Sequence, residues 1–185
     1  MPDGIGDSGL GIGANPEQGR NSKSPQIPNP KSPIPALAIA TALGVGYAPI
    51  APGTFGSAAG LVLWALLPGS MTVQVAAIVV LFVAGSWSGS VAERHFGRTD
   101  PGQVVADEVM GMLITLFLNP VNWIGAFVGF LLFRVTDIVK PFPANRLERL
   151  PGGVGVMADD GMAAIYANLA LRLVIWITGH RLLAG

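Results

Sequence analysis

Phe133-Arg134-Val135-Thr136-Asp137-Ile138-Val139-Lys140-Pro141 closes the apolar run Trp123-Ile124-Gly125-Ala126-Phe127-Val128-Gly129-Phe130-Leu131-Leu132, and this stretch decides the fold. An uninterrupted apolar run of this length predicts a buried or lipid-facing helix, and three charges end it. At about 100° per residue, Arg134, Asp137 and Lys140 fall within an arc of roughly 120°, so they form one polar stripe instead of a solvated ring. Pro141 then stops the helix. A cation, anion, cation stripe in this position is either a locally neutralised structural network or one side of a site for a phosphate and a metal. The rest of the chain has to separate the two.

Composition points to a membrane. The 185 residues are 51% hydrophobic and only 12% charged, where soluble domains carry about 25% charged residues. One domain is the expectation at this length. Eleven basic residues balance eleven acidic ones, so no basic excess favours nucleic acid. The absence of cysteine excludes disulfides, thiolate zinc sites and phosphocysteine chemistry. Neither histidine, His95 or His180, sits at a spacing that makes a metal pair or in a setting resembling a catalytic triad.

Residues 1–35 are rich in Gly, Pro, Ser and Asn and hold too few large apolar side chains to offset the entropy of ordering, so a disordered tail is expected there. The tail lacks the basic and apolar regions of a signal peptide. Gly4-Ile5-Gly6-Asp7-Ser8-Gly9 matches a dinucleotide-binding glycine pattern, but the strand and helix that give the pattern meaning are missing from the sequence around it.

From Ala36 to Gly185 the chain reads as one all-α domain, a compact, membrane-embedded bundle of apolar helical hairpins. Gly44 to Ser57 contains Pro49, Pro52 and four glycines, which predicts a shaped loop before an apolar run from Ala58 to Leu67. Thr54 or Ser57 is placed to cap the following helix, and amides at such an N-terminus attract anions. Met71 to Ala92 is the best spanning candidate. The basic loop after it, with Arg94, His95 and Arg98, marks the cytoplasmic side by the positive-inside rule. A short run from Val109 to Leu118, the Asn119-Pro120 turn and the returning run to Phe133 make a second hairpin. A last helix begins near Gly152 and runs through Ile177, with Arg172 its only mid-segment charge. The two short runs are each about 15 Å long, too short to cross a hydrocarbon core of about 30 Å.

If each apolar segment runs across the bundle, Asp107-Glu108, Asp137, Asp159-Asp160 and the loop before Ala58 all end on one side. The uncharged turns Pro68-Gly69-Ser70 and Asn119-Pro120 end on the other. Five carboxylates crowded at one end repel one another unless a cation neutralises them. A divalent metal does so, and oxygen-only ligands favour Mg²⁺, Mn²⁺ or Ca²⁺ over zinc. Arg134 and Lys140 add fixed positive charge beside it, the combination that stabilises phosphoryl oxygens. Each feature also has a purely structural reading. The acidic pairs would favour helix N-termini through the macrodipole, Arg134 and Asp137 would be an ordinary i,i+3 pair, and Lys140 would reach for headgroups. Charges at membrane depth are costly, and their convergence favours function. His95, Asp100 and Arg172 stay open on sequence, while Arg146, Glu148 and Arg149 read as solvated loop charges.

The segments Ala51-Pro52-Gly53-Thr54-Phe55-Gly56-Ser57, Asp107-Glu108-Val109-Met110-Gly111, Phe133 to Pro143 and Gly152-Gly153-Val154-Gly155-Val156-Met157-Ala158-Asp159-Asp160 occur in that order. As a set they resemble the phosphatidylglycerophosphatase A family of bacterial membranes over about residues 36–180. Ala158 stands where the family is expected to carry a larger aliphatic residue, and Phe142 where it commonly has Trp; both read as packing changes. The resemblance implies an all-helical Mg²⁺-dependent phosphatase of the inner membrane, with its site facing the cytoplasm, that converts phosphatidylglycerophosphate to phosphatidylglycerol. On that basis Asp107, Asp137, Asp159 and Asp160 are expected to ligate Mg²⁺, and Glu108 to ligate or act as base. Arg134 and Lys140 would bind the phosphate, with Gly53 and Thr54 lending amides or a hydroxyl. The rival from another class is a small cation or proton transporter using the same carboxylates, and another lipid-phosphate headgroup stays open as well.

Overall fold

The computed structural model describes residues 33–178. The tail expected over residues 1–35, with its glycine pattern, therefore lies almost wholly outside the described residues, as does His180. The described residues form seven α-helices with no strand among them: α1 (Ile34–Ala40), α2 (Pro52–Leu66), α3 (Met71–Phe96), α4 (Ala106–Leu116), α5 (Trp123–Val139), α6 (Ala144–Leu147) and α7 (Gly153–Ile177). α3 and α7 are long and apolar enough to cross a membrane, at about 39 and 37 Å.

α4 is the centre of the bundle. Nine of its eleven residues are buried, as expected of a helix enclosed on every side. Met112 and Leu116 pack into one core with Ala126 and Phe133 of α5 and with Ala163, Ala164, Ala167, Leu171 and Ile175 of α7. The tip of the Phe133 ring fills the space over Gly111, where a β-carbon has no room. α2 closes the other flank. A β-carbon on Gly60 would come within 2.7 Å of Met112 Cβ, and one on Gly56 within 2.7 Å of Val105 Cβ. Glycines four apart let the two backbones approach as apolar helices do when lipid offers no hydrophobic drive for association.

These contacts correct one expectation. Pro52 to Ser57 is helical: α2 begins at Pro52, six residues before the predicted Ala58. Proline is favoured at the first helical position, and the glycines face α4 instead of bending the chain. Neither Thr54 nor Ser57 caps the helix; its N-cap is Ala51. α1 and the loop before α4 pack with α3 and α7 in a smaller cluster in which Ala40, Ala92, Val104 and Val156 are buried together. Val105 N–H donates to Ala40 C=O at 2.8 Å, pinning the start of α4.

The two ends of the bundle differ as the sequence predicts. The uncharged turns meet at one end, where Gly69, Asn119 and Pro120 line the same cavity with Trp64. Trp64 and Trp123 pack edge to face there at 6.0 Å, an arrangement suited to a membrane interface. Between the ends, large apolar side chains such as Val79, Val83, Leu131 and Leu169 are exposed, which is the surface of a membrane protein.

Candidate active site

At the charged end, the N-termini of α2, α4 and α7 and the C-terminus of α5 surround a cavity of about 350 Å³. Asp107, Glu108, Arg134, Asp137, Lys140, Asp159 and Asp160 all line it. Asp107, Asp137, Asp159 and Asp160 are each less than a tenth exposed. The first turn of α4 supplies Asp107 and Glu108, where the helix dipole favours negative charge. That account fails for Asp159 and Asp160. They lie in the second turn of α7, whose first turn has no acidic residue, and the dipole effect fades within the first turn.

Two cations hold two of the carboxylates. Arg134 Nη1 stands 2.8 Å from Asp137 Oδ2 and 3.8 Å from Glu108 Oε1. It also donates to Ser57 Oγ at 3.3 Å, while Ser57 donates to Gly53 C=O. Lys140 bonds Asp159 Oδ2 and lies 3.7 Å from Glu148 Oε2. Burial works against the lysine's charge, but its bond to Asp159 and the neighbouring carboxylates outweigh burial and raise its pKa above the ordinary lysine value. The ammonium is therefore fixed, and it does not reach toward headgroups. Lys140 caps α5 in the left-handed conformation at φ 45°, which turns the chain back over the site. Ala51 and Asp100, also on the cavity wall, share that conformation at φ 49° and 44°. Strained backbone of this kind gathers at functional sites.

The remaining carboxylates form a second group. Asp107, Glu108 and Asp160 each offer an oxygen within 4.8 Å of the others. Asp107 Oδ1, Glu108 Oε2, Asp159 Oδ1 and Asp160 Oδ2 are buried without a hydrogen-bond partner. Six carboxylates, counting Asp100, line the cavity with two cations, so the fully ionised site carries an excess of four negative charges. Orphaned buried carboxylate oxygens are costly. A metal ion fits here, because it satisfies several of them at once and the donors are all oxygen.

The structure thus brings together nearly every residue singled out from sequence. Of the expected ligands, Asp107 and Asp160 converge with Glu108, whereas Asp137 and Asp159 are held by Arg134 and Lys140. Gly53 lines the cavity, but Thr54 is exposed and off its wall. Asp100 belongs to the wall, and Glu148, read as a solvated loop charge, approaches Lys140. The anchoring of Arg134 by Ser57 was not foreseen, and no local signal marks a small buried serine for that role. His95 packs edge to face against Phe96, outside the cavity. Arg172 serves the other end of α4, bonding Asn168 Oδ1 and Phe117 C=O.

The sequence profile of the family Phosphatidylglycerophosphatase A matches residues 38–175. The chain belongs to the phosphatidylglycerophosphatase A family. Proteins named Phosphatidylglycerophosphatase A from Haemophilus influenzae and Escherichia coli K12 are 37% and 34% identical to it. The alignments cover 76% and 77% of this chain and 87% and 82% of those proteins. A Bacteroides thetaiotaomicron protein with the provisional name phosphatidylinositol-3-phosphatase is 39% identical, over 79% of this chain and 96% of that protein. No solved structure is significantly similar. The four segments that carry the resemblance are those whose ends build the cavity, and neither Ala158 nor Phe142 lines it. Phe142 instead lies under the Arg146 guanidinium, outside the cavity wall.

Proposed function

We propose that this protein is a Mg²⁺-dependent lipid phosphatase that hydrolyses phosphatidylglycerophosphate to phosphatidylglycerol and phosphate, at the cytoplasmic face of a bacterial inner membrane. The observation that carries this reading is the cavity in which six carboxylates line the wall with Arg134 and Lys140 at one end of an apolar bundle. Asp107, Glu108 and Asp160 would hold the metal. Asp159 adds an unpaired oxygen beside them, and Asp137 adjoins through Arg134. Bound there, Mg²⁺ supplies Lewis-acid polarisation of a phosphoryl oxygen and makes water a better nucleophile.

The protein's own groups do the rest. Arg134 Nε is buried without a partner, leaving a donor for a phosphate oxygen, and the Lys140 ammonium provides a second positive contact. The first turn of α2 places the Gly53 backbone amide, at a helix N-terminus, on the same side. A carboxylate of the Asp107-Glu108 pair would accept the proton from the attacking water as its oxygen bonds to phosphorus, and would return it to the glycerol oxygen as that oxygen's bond to phosphorus breaks. The orientation follows from charge. Arg94, Arg98, Lys140, Arg146 and Arg149 all lie at the cavity end, which the positive-inside rule assigns to the cytoplasm.

A transporter needs polar groups along a path through the bilayer. Here the core cluster beyond the cavity is Met, Leu, Ala, Phe and Ile, and the polar Asn168 and Arg172 near it are engaged by the carbonyls that end α4, which favours the enzyme. The relative with the phosphatidylinositol-3-phosphatase name favours one alternative headgroup. The test is phosphate release by purified protein in detergent from phosphatidylglycerophosphate and, in parallel, from phosphatidylinositol 3-phosphate, with Mg²⁺ and with excess EDTA. Mg²⁺-dependent release from the first substrate is expected. Release from neither substrate would refute the phosphatase reading, and preference for the second would change the headgroup.

A further inference from the structure

We infer that the outward face of α5 is a track along which the acyl chains of the phospholipid substrate lie while its phosphate enters the cavity from the side. This rests on the lipid-phosphatase reading above. Ile138 belongs to two surfaces at once, for it lines the cavity and is 74% exposed. Phe127, Leu131, Val135 and Ile138 follow one another at spacings of four, four and three residues, so they share one helix face. The first three are 55%, 48% and 59% exposed. The face extends about 16 Å from the cavity toward the far end of the bundle.

The cavity rim is asymmetric in chemistry. On the α2 side, Ala51 lines the cavity and its neighbour Ile50 is 77% exposed. With Ile138 they make an apolar edge. The loop between α3 and α4 contributes Asp100 and Gly102, a polar edge. A soluble phosphate monoester would need only the polar edge. A lipid needs both, because its chains stay in hydrocarbon while its phosphate must reach Arg134 and Lys140. Other outward faces also meet lipid, such as Val75, Val79 and Val83 of α3, but none of those residues lines the cavity.

The test uses the full chain in detergent micelles with Mg²⁺ and two substrates, dioleoyl phosphatidylglycerophosphate and its water-soluble dibutyryl analogue. Leu131→Asn with Val135→Asn should raise KM for the dioleoyl substrate about tenfold at constant kcat, the equivalent of losing roughly two buried methylenes. Both constants for the dibutyryl substrate should stay put, which also reports an intact fold. Val135→Thr, nearly isosteric, should move KM in the same direction by less. The control Val79→Asn with Val83→Asn places the same polarity on α3 and should change neither substrate. An unchanged dioleoyl KM, an equal rise for both substrates, or a rise matched by the α3 control overturns the track. Phosphate release from neither substrate by the wild-type protein refutes the underlying phosphatase reading instead.

Discussion

Gly53 of α2 sits so close to Glu108 of α4 that a β-carbon on it would overlap the carboxylate oxygen Oε1. The first turn of α2 is thus the floor on which the second acid of α4 must stand. Glu108 in turn keeps company with Asp107 and Asp160, so the small-residue row of α2 sets the shape of the acidic group as well as the helix spacing.

Gly53→Ala should therefore separate activity from stability. The clash is with the far end of a flexible side chain, which can swing away, and alanine is the better helix former by about 1 kcal/mol. Thermal unfolding in detergent should be unchanged or slightly raised. Turnover should fall about a hundredfold, as small displacements of positioned groups do. Normal turnover would remove the position of Glu108 from the mechanism.

The metal reading makes a graded prediction. Asp160→Asn keeps shape but removes charge from the group of three. Its half-saturating Mg²⁺ concentration should rise by at least the roughly 10–100-fold that loss of an outer-shell partner costs. Asp137→Asn, which frees Arg134 from its 2.8 Å partner, should abolish turnover and leave Mg²⁺ binding less affected. Calorimetric titration of Mg²⁺ into both variants checks the ordering, and equal binding losses would place Asp137 among the ligands.

Much of this was legible in the sequence, for a physical reason. Charges are so few in this chain that each apolar run ends visibly, and the alternation of charged and uncharged turns gives the side on which every helix end lies. The start of α2 was not legible because Pro52, Gly53 and Gly56 spell a loop as readily as a close helix contact, and only the position of Val105, Glu108 and Met112 distinguishes them. The split of five carboxylates into three that converge and two held by cations depends on how α4 crosses α7, which no one-dimensional spacing encodes. Glu148 reads as solvated in the sequence because its approach to Lys140 requires the left-handed turn at the end of α5.

Lys140 and Asp159 allow a cycle that distinguishes structural from chemical roles. Lys140→Met leaves Asp159, 2% exposed, without its cation, a loss of about 1–3 kcal/mol for an orphaned buried acceptor and more if it stays charged. Adding Asp159→Asn should restore most of the stability, since both members of the pair are then neutral. Activity should remain lost in the double variant because the phosphate contact is gone. Recovery of both would make the pair purely structural.

The absence of cysteine makes the topology directly testable. Ser70, before α3, and Thr99, after it, are both exposed and lie at opposite ends of a helix of 26 residues. Cysteines placed at each should react with a membrane-impermeant maleimide from opposite sides of sealed vesicles, Thr99 from the cytoplasmic side. Labelling from one side would mean that α3 does not cross.

The last prediction concerns how an eleven-residue helix ends inside a membrane protein. The final carbonyls of α4 have no partner within their own helix, and hydrocarbon offers no water to replace one. Asn168 of α7 supplies it: Nδ2 lies 3.0, 2.9 and 2.8 Å from the carbonyl oxygens of Ile114, Thr115 and Phe117. Arg172 holds the amide in place, donating from Nε to Asn168 Oδ1 at 2.9 Å and from Nη2 to Phe117 C=O at 3.3 Å. Asn168→Leu keeps the volume and removes this shared donor, leaving Ile114 C=O to Phe117 N–H, Thr115 C=O to Asn119 Nδ2 and Phe117 C=O to Arg172 Nη2, at about 0.5–1.5 kcal/mol for each hydrogen bond lost. In a chain of this size that is about 2–4 °C of melting temperature per kcal/mol. Asn168→Gln should recover part of the loss by reaching the same acceptors with a longer arm. Because α4 carries Asp107 and Glu108 at its other end, Asn168→Leu should also lower turnover at temperatures well below its melting point. A leucine variant that melts with the wild type would show that the end of α4 is satisfied by other groups.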